Sequence, residues 1–99
     1  DKKKAMTMYR AAADRGGAFA QYNLAVELHS DEKFEEAFRY LVLAANQGFT
    51  PAEHNLGCFY RDGTGTEVDL GKAIYWVERA AAKGEEAAKA ALALLDARV

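Results

Sequence analysis

The chain has 99 residues, of which 51% are hydrophobic and 28% charged, and its formal net charge is −2. This length allows one domain at most, and this hydrophobic share indicates a folded chain and argues against intrinsic disorder. The small negative charge argues against a nucleic-acid-binding surface, and no apolar run reaches the roughly 20 residues of a membrane-spanning helix.

The predicted elements are six helices, because the chain is rich in alanine, contains one proline and has no long run of β-branched residues. Asp1 and Asp69 stand at equivalent places before two of the helices, and both are predicted N-caps. In chain order, the helices are predicted over about residues 2–15, 19–30, 34–47, 51–61, 70–83 and 86–97.

The boundary between the third and fourth predicted helices carries several local signals. Gly48 supplies the left-handed residue that commonly ends a helix. Thr50 is predicted as the next N-cap, with Pro51 in the first turn and Glu53 three residues on, so that Glu53 closes a capping box. The fourth helix is predicted to stop before Gly63-Thr64-Gly65, whose glycines supply positive-φ turn geometry.

Three copies of one pattern account for these helices. In each copy an alanine pair is followed by a glycine, then by another alanine and then by a leucine, always at the same spacing. The offset between copies is 32 residues and then 36. A near-constant period of this length is typical of solenoids, whose helical pairs must stack to bury their apolar faces. The columns are Ala12-Ala13, Gly16, Ala20 and Leu24; Ala44-Ala45, Gly48, Ala52 and Leu56; and Ala80-Ala81, Gly84, Ala88 and Leu92.

The repeat predicts a single domain with an all-α fold, a right-handed superhelix of helix-turn-helix repeats. Residues 1–16 are predicted to be the second helix of a truncated repeat, and 17–48 and 49–84 are predicted repeats. Residues 85–99 are predicted to be the first helix of a further repeat or a cap. Because the sequence begins without Met, we expect it to be part of a longer protein. Met8, Tyr40 and Trp76 occupy one repeat position, within an apolar stripe of the second helices, and core packing is predicted for all three.

The sequence resembles the Sel-one-like repeat family, a branch of the tetratricopeptide-like solenoids. The matching segments are residues 20–25, 52–60 and 69–84, with Gly63-Thr64-Gly65 at the family's inter-helix loop. The resemblance implies a scaffold or adaptor that binds a protein or peptide. We expect no enzymatic activity, no cofactor, no nucleic-acid partner and no membrane contact from this segment. The alternative interpretation is a structural spacer within a longer repeat array, without a ligand of its own.

The candidate binding surface lies one step round the first helix of each pair from the leucines that pack the repeat. In tetratricopeptide-like solenoids this face lines the concave groove. An asparagine there can donate to and accept from a peptide backbone, but an inter-helix hydrogen bond would explain the same residue type equally well. The predicted groove residues are Phe19, Tyr22, Asn23, Val26, His54, Asn55, Cys58 and Arg61.

Ser30 and Lys33 have the Ser-x-x-Lys spacing of penicillin-binding enzymes. The companion Ser-Asp-Asn and Lys-Thr-Gly elements that make such a serine a nucleophile are missing from the sequence. A helix-ending turn with local side-chain caps explains Ser30 and Asp31 and is the favoured interpretation. A β-lactam-binding or hydrolase activity is a remote alternative.

His54, Cys58 and Asp62 follow one another at i, i+4 spacing, and His29 stands at the matching end of the neighbouring predicted helix. Zinc accepts such donors, but helical phase alone would bring them together, so no metal site is predicted. As Cys58 is the single cysteine, no internal disulfide is possible and nothing requires an oxidising compartment. A cytoplasmic location is therefore favoured.

Overall fold

In the computed structural model, which describes residues 1–98 and all their side chains except that of Arg98, the chain forms six α-helices. The described residues contain no strand, and each predicted helix is confirmed to within about one residue at either end. Each helix packs against the next one in the chain. No described helix combines the length and apolarity needed to cross a bilayer. The helices are α1 (Lys2–Asp14), α2 (Ala18–Ser30), α3 (Phe34–Asn46), α4 (Thr50–Asp62), α5 (Leu70–Ala82) and α6 (Glu86–Arg98).

Alanine and leucine fill the interior of the helical row. Leu24 and Leu28 of α2 and Leu41 of α3 are fully buried and belong to one cluster that extends to Leu56 of α4. Most alanines of the repeat columns are buried, with Ala12 and Ala81 half-buried, and their short side chains let the helix backbones approach closely. A second cluster joins α5 to α6 around Val77 and other small residues.

The column of Met8, Tyr40 and Trp76 is only partly buried. Tyr40 and Trp76 are half-buried and pack against the first cluster. Met8 of α1 is 71% exposed, so the prediction of core packing was wrong for this residue. The physical reason is that no described helix covers that side of α1.

Two helices approach each other closely at Gly57, on the buried face of α4. A Cβ atom at this position would overlap Cγ2 of Val77 and lie 3.0 Å from the carbonyl oxygen of Ala73, both in α5. Glycine is therefore required by the neighbouring backbone, in the column where α2 carries Ala25.

Gly57→Ala is expected to lower the free energy of unfolding by about 1–3 kcal/mol, because the added methyl group must displace Val77 or the α5 backbone. Gly71→Ala is the matched control, since Gly71 is exposed near the start of α5 and alanine favours a helix over glycine. Thermal unfolding followed by circular dichroism measures both. If Gly57→Ala melts at the temperature of the unchanged chain, this face of α4 is not tightly packed.

The capping box predicted at the start of α4 is wrong. The chain enters the helix at Thr50, so that Phe49 is the N-cap and its carbonyl oxygen accepts from the backbone N–H of Glu53 at 3.1 Å. No side chain caps this end. The side chain of Glu53 is instead buried against α5, where it meets two cations whose positions the local sequence pattern does not reveal.

The fully buried carboxylate of Glu53 ties α4 to the end of α5. Its Oε1 lies 2.8 Å from Nζ of Lys83, and its Oε2 lies 3.2 Å from Nε of Arg79. Lys83 also donates to the carbonyl oxygen of Gly48 at 2.8 Å. The hydrogen bond to Glu53 raises the pKa of Arg79. A buried carboxylate is tolerated only with such partners, so these contacts fix how α5 lies on α4. We call the Glu53–Lys83 pair the ionic clasp.

The preceding repeat carries the same clasp in neutral form. Gln21 of α2 takes the position of Glu53, and Gln47 takes that of Lys83. Nε2 of Gln47 donates to Oε1 of Gln21 and to the carbonyl oxygen of Gly16, both at 2.9 Å. Gln47 and Lys83 are the residues that directly follow their helices. Each clasp therefore ties the end of a second helix to the start of the first helix of the same repeat.

Converting the ionic clasp into the neutral one tests this equivalence. Lys83→Gln leaves the buried carboxylate with one cation, and Glu53→Gln leaves two cations without a carboxylate. Each single change is expected to cost about 1.5–3 kcal/mol. The double variant Glu53→Gln/Lys83→Gln reproduces Gln21 and Gln47, so it should recover part of the loss. Chemical denaturation of the four proteins gives the coupling energy, and strictly additive losses would contradict the equivalence.

The loop after α4 folds back onto the start of α3. Gly63 and Gly65 have φ values of +71° and +67°, which confirms the predicted positive-φ turn. A Cβ atom at Gly65 would overlap the carbonyl group of Phe34, so the loop backbone touches α3 directly. This contact places Thr64 between the ends of α2 and α4.

Candidate functional site

A cavity of about 370 Å³ lies between α2 and α4. The two helices occupy the same place in consecutive repeats, and the buried Leu41 of α3 contributes to the cavity wall. The loop residue Thr64 lines it as well. The lining residues are Tyr22, Ala25, Val26 and His29 from α2, Leu41 from α3, Asn55, Cys58, Phe59 and Asp62 from α4, and Thr64.

Aromatic rings pack on both sides of this cavity. The ring centroid of Tyr22 lies 5.4 Å from that of Phe49, and the centroid of His29 lies 5.5 Å from that of Phe59. Ring packing of this kind holds wall side chains in place and pre-forms an apolar surface. Each cluster has one further member: Phe19, whose centroid is 6.0 Å from that of Phe49, and Phe34, whose centroid is 5.4 Å from that of His29.

The half-buried side chain of Asn55 supplies a polar group in the wall of the cavity. Its carboxamide makes no hydrogen bond to any described residue. An amide carries two N–H donors and a carbonyl acceptor, the complement of one peptide group. The inter-helix hydrogen bond that was the alternative explanation for this asparagine does not occur among the described residues.

Cys58 and Asp62 complete the α4 side of the wall. Burial raises the pKa of the Cys58 thiol, with the neighbouring Arg61 acting in the opposite direction and Asp62 reinforcing the rise. The thiol therefore stays protonated near neutral pH and behaves as a small apolar group. Asp62 accepts from the guanidinium of Arg61 through both carboxylate oxygens, each at 2.9 Å.

Of the eight predicted groove residues, the structure brings Tyr22, Val26, Asn55 and Cys58 together around the cavity. The other four lie outside its lining. Phe19 lies beside the cavity and is 65% exposed, and Asn23 lies on α2 outside the lining. The guanidinium of Arg61 is paired with Asp62. Nδ1 of His54 lies 2.6 Å from Oε1 of Glu85.

Six lining residues are absent from the predicted groove: Ala25, His29, Leu41, Phe59, Asp62 and Thr64. Phe59 stands four residues after Asn55, and helical phase could have identified it. Thr64 lines the cavity only because the loop returns to α3, for which the sequence carries no signal beyond the two glycines. Leu41 lies in the apolar stripe of its helix, which predicts a core position, and it is buried in the first cluster.

The residues that the sequence offered for hydrolase or metal chemistry lie at separate places in the structure. Ser30 ends α2 and Lys33 precedes α3, both exposed at a turn outside the cavity. His29, Cys58 and Asp62 share the cavity wall, whereas His54 is engaged with Glu85. Within residues 1–98, no three histidine, cysteine or acidic side chains are placed to hold a metal ion together.

A second cavity, of about 730 Å³, lies between α1 and α3 on another side of the molecule. Its acidic wall residues are already paired: Glu36 with Arg10 at 2.8 Å, and Asp14 with the hydroxyl of Tyr40 at 3.3 Å. One repeat on, Trp76 and Arg79 take the positions of the wall residues Tyr40 and Leu43, and the guanidinium of Arg79 lies over the ring of Trp76. We therefore regard the cavity as a gap between the second helices.

A family model for the Sel1 repeat matches residues 1–17, 18–49 and 50–85. The family resemblance inferred from the sequence is thereby confirmed. Among solved structures, a Sel1 repeat protein from Oxalobacter formigenes is 31% identical, with a TM-score of 0.85 over 90% of this chain and 38% of that one. The protective antigen c5321 of uropathogenic Escherichia coli, which displays an SLR fold, is 30% identical, with a TM-score of 0.89 over 93% of this chain and 20% of that one.

Two curated relatives carry names that describe a role. The DAP3-binding cell death enhancer 1 of Mus musculus is 36% identical over 99 residues, which span 96% of this chain. The chitin synthase regulator SKT5 of Saccharomyces cerevisiae is 32% identical over 94 residues, which span 89% of it. The matched segment amounts to 19% and 14% of the length of these relatives.

Proposed function

We propose that this chain, which belongs to the Sel1 repeat family, binds an extended or helical segment of another protein in the cavity between α2 and α4. The observation that carries the proposal is the carboxamide of Asn55, which pairs with no described residue and lies in a pre-formed, largely apolar wall. Such a surface gains affinity from apolar burial and direction from a few polar groups.

The dimensions and chemistry of the cavity favour one apolar side chain as the anchor. About 370 Å³ accommodates a large aliphatic or aromatic side chain between Tyr22, Val26 and Cys58. A backbone peptide group beside the anchor would meet the carboxamide of Asn55, donating to its oxygen and accepting from its nitrogen. The chain would thus act as the recognition part of an adaptor.

The names of the relatives are compatible with such a role. One is described as DAP3-binding and the other as a regulator of chitin synthase, and each is a much longer protein than this chain. Their partners are not transferred to this chain, because the matched segment is less than a fifth of either relative. What we propose for this chain is the class of ligand, a protein segment.

Peptides selected from a phage-displayed random library against the chain test the proposal. Asn55→Ala is expected to weaken the selected peptides by about 0.5–1.5 kcal/mol, the net worth of one hydrogen bond. Asn23→Ala is the matched control, since Asn23 holds the same place one repeat earlier but lies outside the lining. Isothermal titration measures both variants. Equal losses for both would contradict binding in the cavity, and selection of no peptide at all would favour the spacer interpretation.

Cys58 reports directly on occupancy of the cavity. The raised pKa of its thiol predicts slow alkylation near neutral pH and faster alkylation as the pH rises towards that pKa, because the thiolate is the reactive form. A bound peptide is expected to slow alkylation by iodoacetamide further by covering the thiol. Mass spectrometry follows the reaction, and a rate unchanged at saturating peptide would place the peptide elsewhere.

A further inference from the structure

The carboxamide of Asn55 restricts the form in which a protein segment can occupy the cavity between α2 and α4. Its donors and its acceptor match one peptide group, and it makes no hydrogen bond to any described residue. The interior of a bound helix has no free peptide group, because each one pairs within the helix. The described residues form no strand whose edge a ligand strand could extend. A segment that pairs with Asn55 must therefore be extended and keep its other peptide groups in water, as a polyproline II helix does.

Two aromatic sites lie along one side of α2 at a spacing that suits such a segment. Tyr22 and His29 both line the cavity, and they are seven residues apart, so that they lie on the same side of the helix. Seven residues of an α-helix span about 10 Å. In a polyproline II helix, residues three apart lie on one side and are separated by about 9 Å. Residues i and i+3 of the ligand can therefore reach both sites at once.

Each aromatic site contains a second ring. The ring centroid of Tyr22 lies 5.4 Å from that of Phe49, and the centroid of His29 lies 5.5 Å from that of Phe59. Flat rings beside a cavity are the surfaces on which the prolines of polyproline II ligands pack. Along α4, Asn55 lies between Phe49, the N-cap, and Phe59. A peptide group between the two ligand residues is therefore the one that meets its carboxamide.

The charges around the cavity favour an uncharged ligand surface. Its lining contains no lysine, arginine or glutamate, and the carboxylate of Asp62 accepts from Arg61 through both oxygens, each at 2.9 Å. A charged side chain entering the cavity would lose water without gaining an unpaired opposite charge. The side chains of two prolines are uncharged and together contain fewer heavy atoms than one phenylalanine side chain, so a volume of about 370 Å³ admits both.

We propose that the segment bound in this cavity is a polyproline II helix with prolines at positions i and i+3. One proline would take the anchor position beside Tyr22, and the other would pack on His29 and Phe59. The carboxamide of Asn55 would pair with a peptide group of the two intervening residues, which keep their N–H groups. Proline holds the ligand extended before binding, and this lowers the entropic cost of association. The inference rests on the proposed function and adds the conformation and sequence of the ligand.

Two synthetic peptides of identical composition test the spacing of the prolines. One contains Ala-Pro-Ala-Ala-Pro-Ala and the control contains Ala-Ala-Pro-Pro-Ala-Ala, both with a glycine and a blocked group at each end. Titration into the isotope-labelled chain, followed by NMR, gives the affinity and the footprint of each peptide. The first peptide should bind at least about threefold more tightly than the control, and its footprint should include Tyr22, His29 and Asn55.

His29→Leu removes one aromatic site but keeps an apolar side chain. Because His29 is exposed, the fold is not expected to change, which circular dichroism checks. The preference for the first peptide should fall below about twofold, since one of its two prolines no longer meets a ring from α2. Tyr75→Leu is the matched control, because it removes an exposed ring of α5 that lies outside the cavity, and it should leave the preference unchanged.

Equal affinity of the two peptides, binding of neither, a footprint outside the cavity or a preference that His29→Leu leaves intact would each overturn this inference. The proposed function is judged separately, by the selection from the random library. Selected peptides that depend on Asn55 but lack prolines three residues apart would preserve the proposed function and overturn the polyproline II ligand, whereas selection of no peptide would overturn both.

Discussion

The buried carboxylate of Glu53 is the constraint on which the arrangement of the second repeat depends. A charge without water requires partners, and both of its cations come from the far end of α5. Apolar contacts between alanines and leucines would tolerate sliding of one helix along the other, because such contacts have little direction. The clasp removes that freedom, since Lys83 reaches Glu53 and the Gly48 carbonyl from one position of the α5 end.

The close approach at Gly57 and the clasp act together on the same pair of helices. Gly57 sets how near α5 comes to α4, and Glu53, one turn earlier, sets the alignment along the axis. In the first repeat, Ala25 and Gln21 hold these two places. Because both repeats fix their second helix on the first in this way, α3 is held in place between α2 and α4. The cavity follows from that placement.

The sequence predicts the helices and the packed columns well because both are set by local or repeated features. Glycine ends, the aspartate caps Asp1 and Asp69 and the small residue at Gly57 carry their meaning wherever the pattern recurs. Glu53 is the instructive failure. Thr-Pro-Ala-Glu satisfies the capping-box pattern, but a carboxylate that can reach two cations across an interface gains more there than at its own helix end, and the pattern contains no information on Arg79 and Lys83.

The candidate site is less predictable for a related reason. Asn23 and Asn55 are indistinguishable by repeat position, yet only Asn55 lines the cavity, because what a first helix faces depends on the helix before it. The same holds for Tyr22 and His54. Tyr22 lines the cavity beside Phe49, whereas His54 lies against Glu85 from the loop that precedes α6.

Departures from the repeat, rather than the repeat itself, therefore distinguish one surface of this molecule from another. The columns that build the core hardly vary: leucine stays leucine at 24, 56 and 92, and the neighbouring residue stays small. The column of Val26 changes to Cys58 and Leu94, and the clasp column changes from Gln21 to Glu53 and Lys89. The first column faces the groove in α2 and α4, and the buried Gln21 and Glu53 are each matched by the residue that follows the next helix, so both columns differ between repeats while the fold is kept. Binding chemistry is expected where the copies differ, and in this chain the wall between α2 and α4 is such a place.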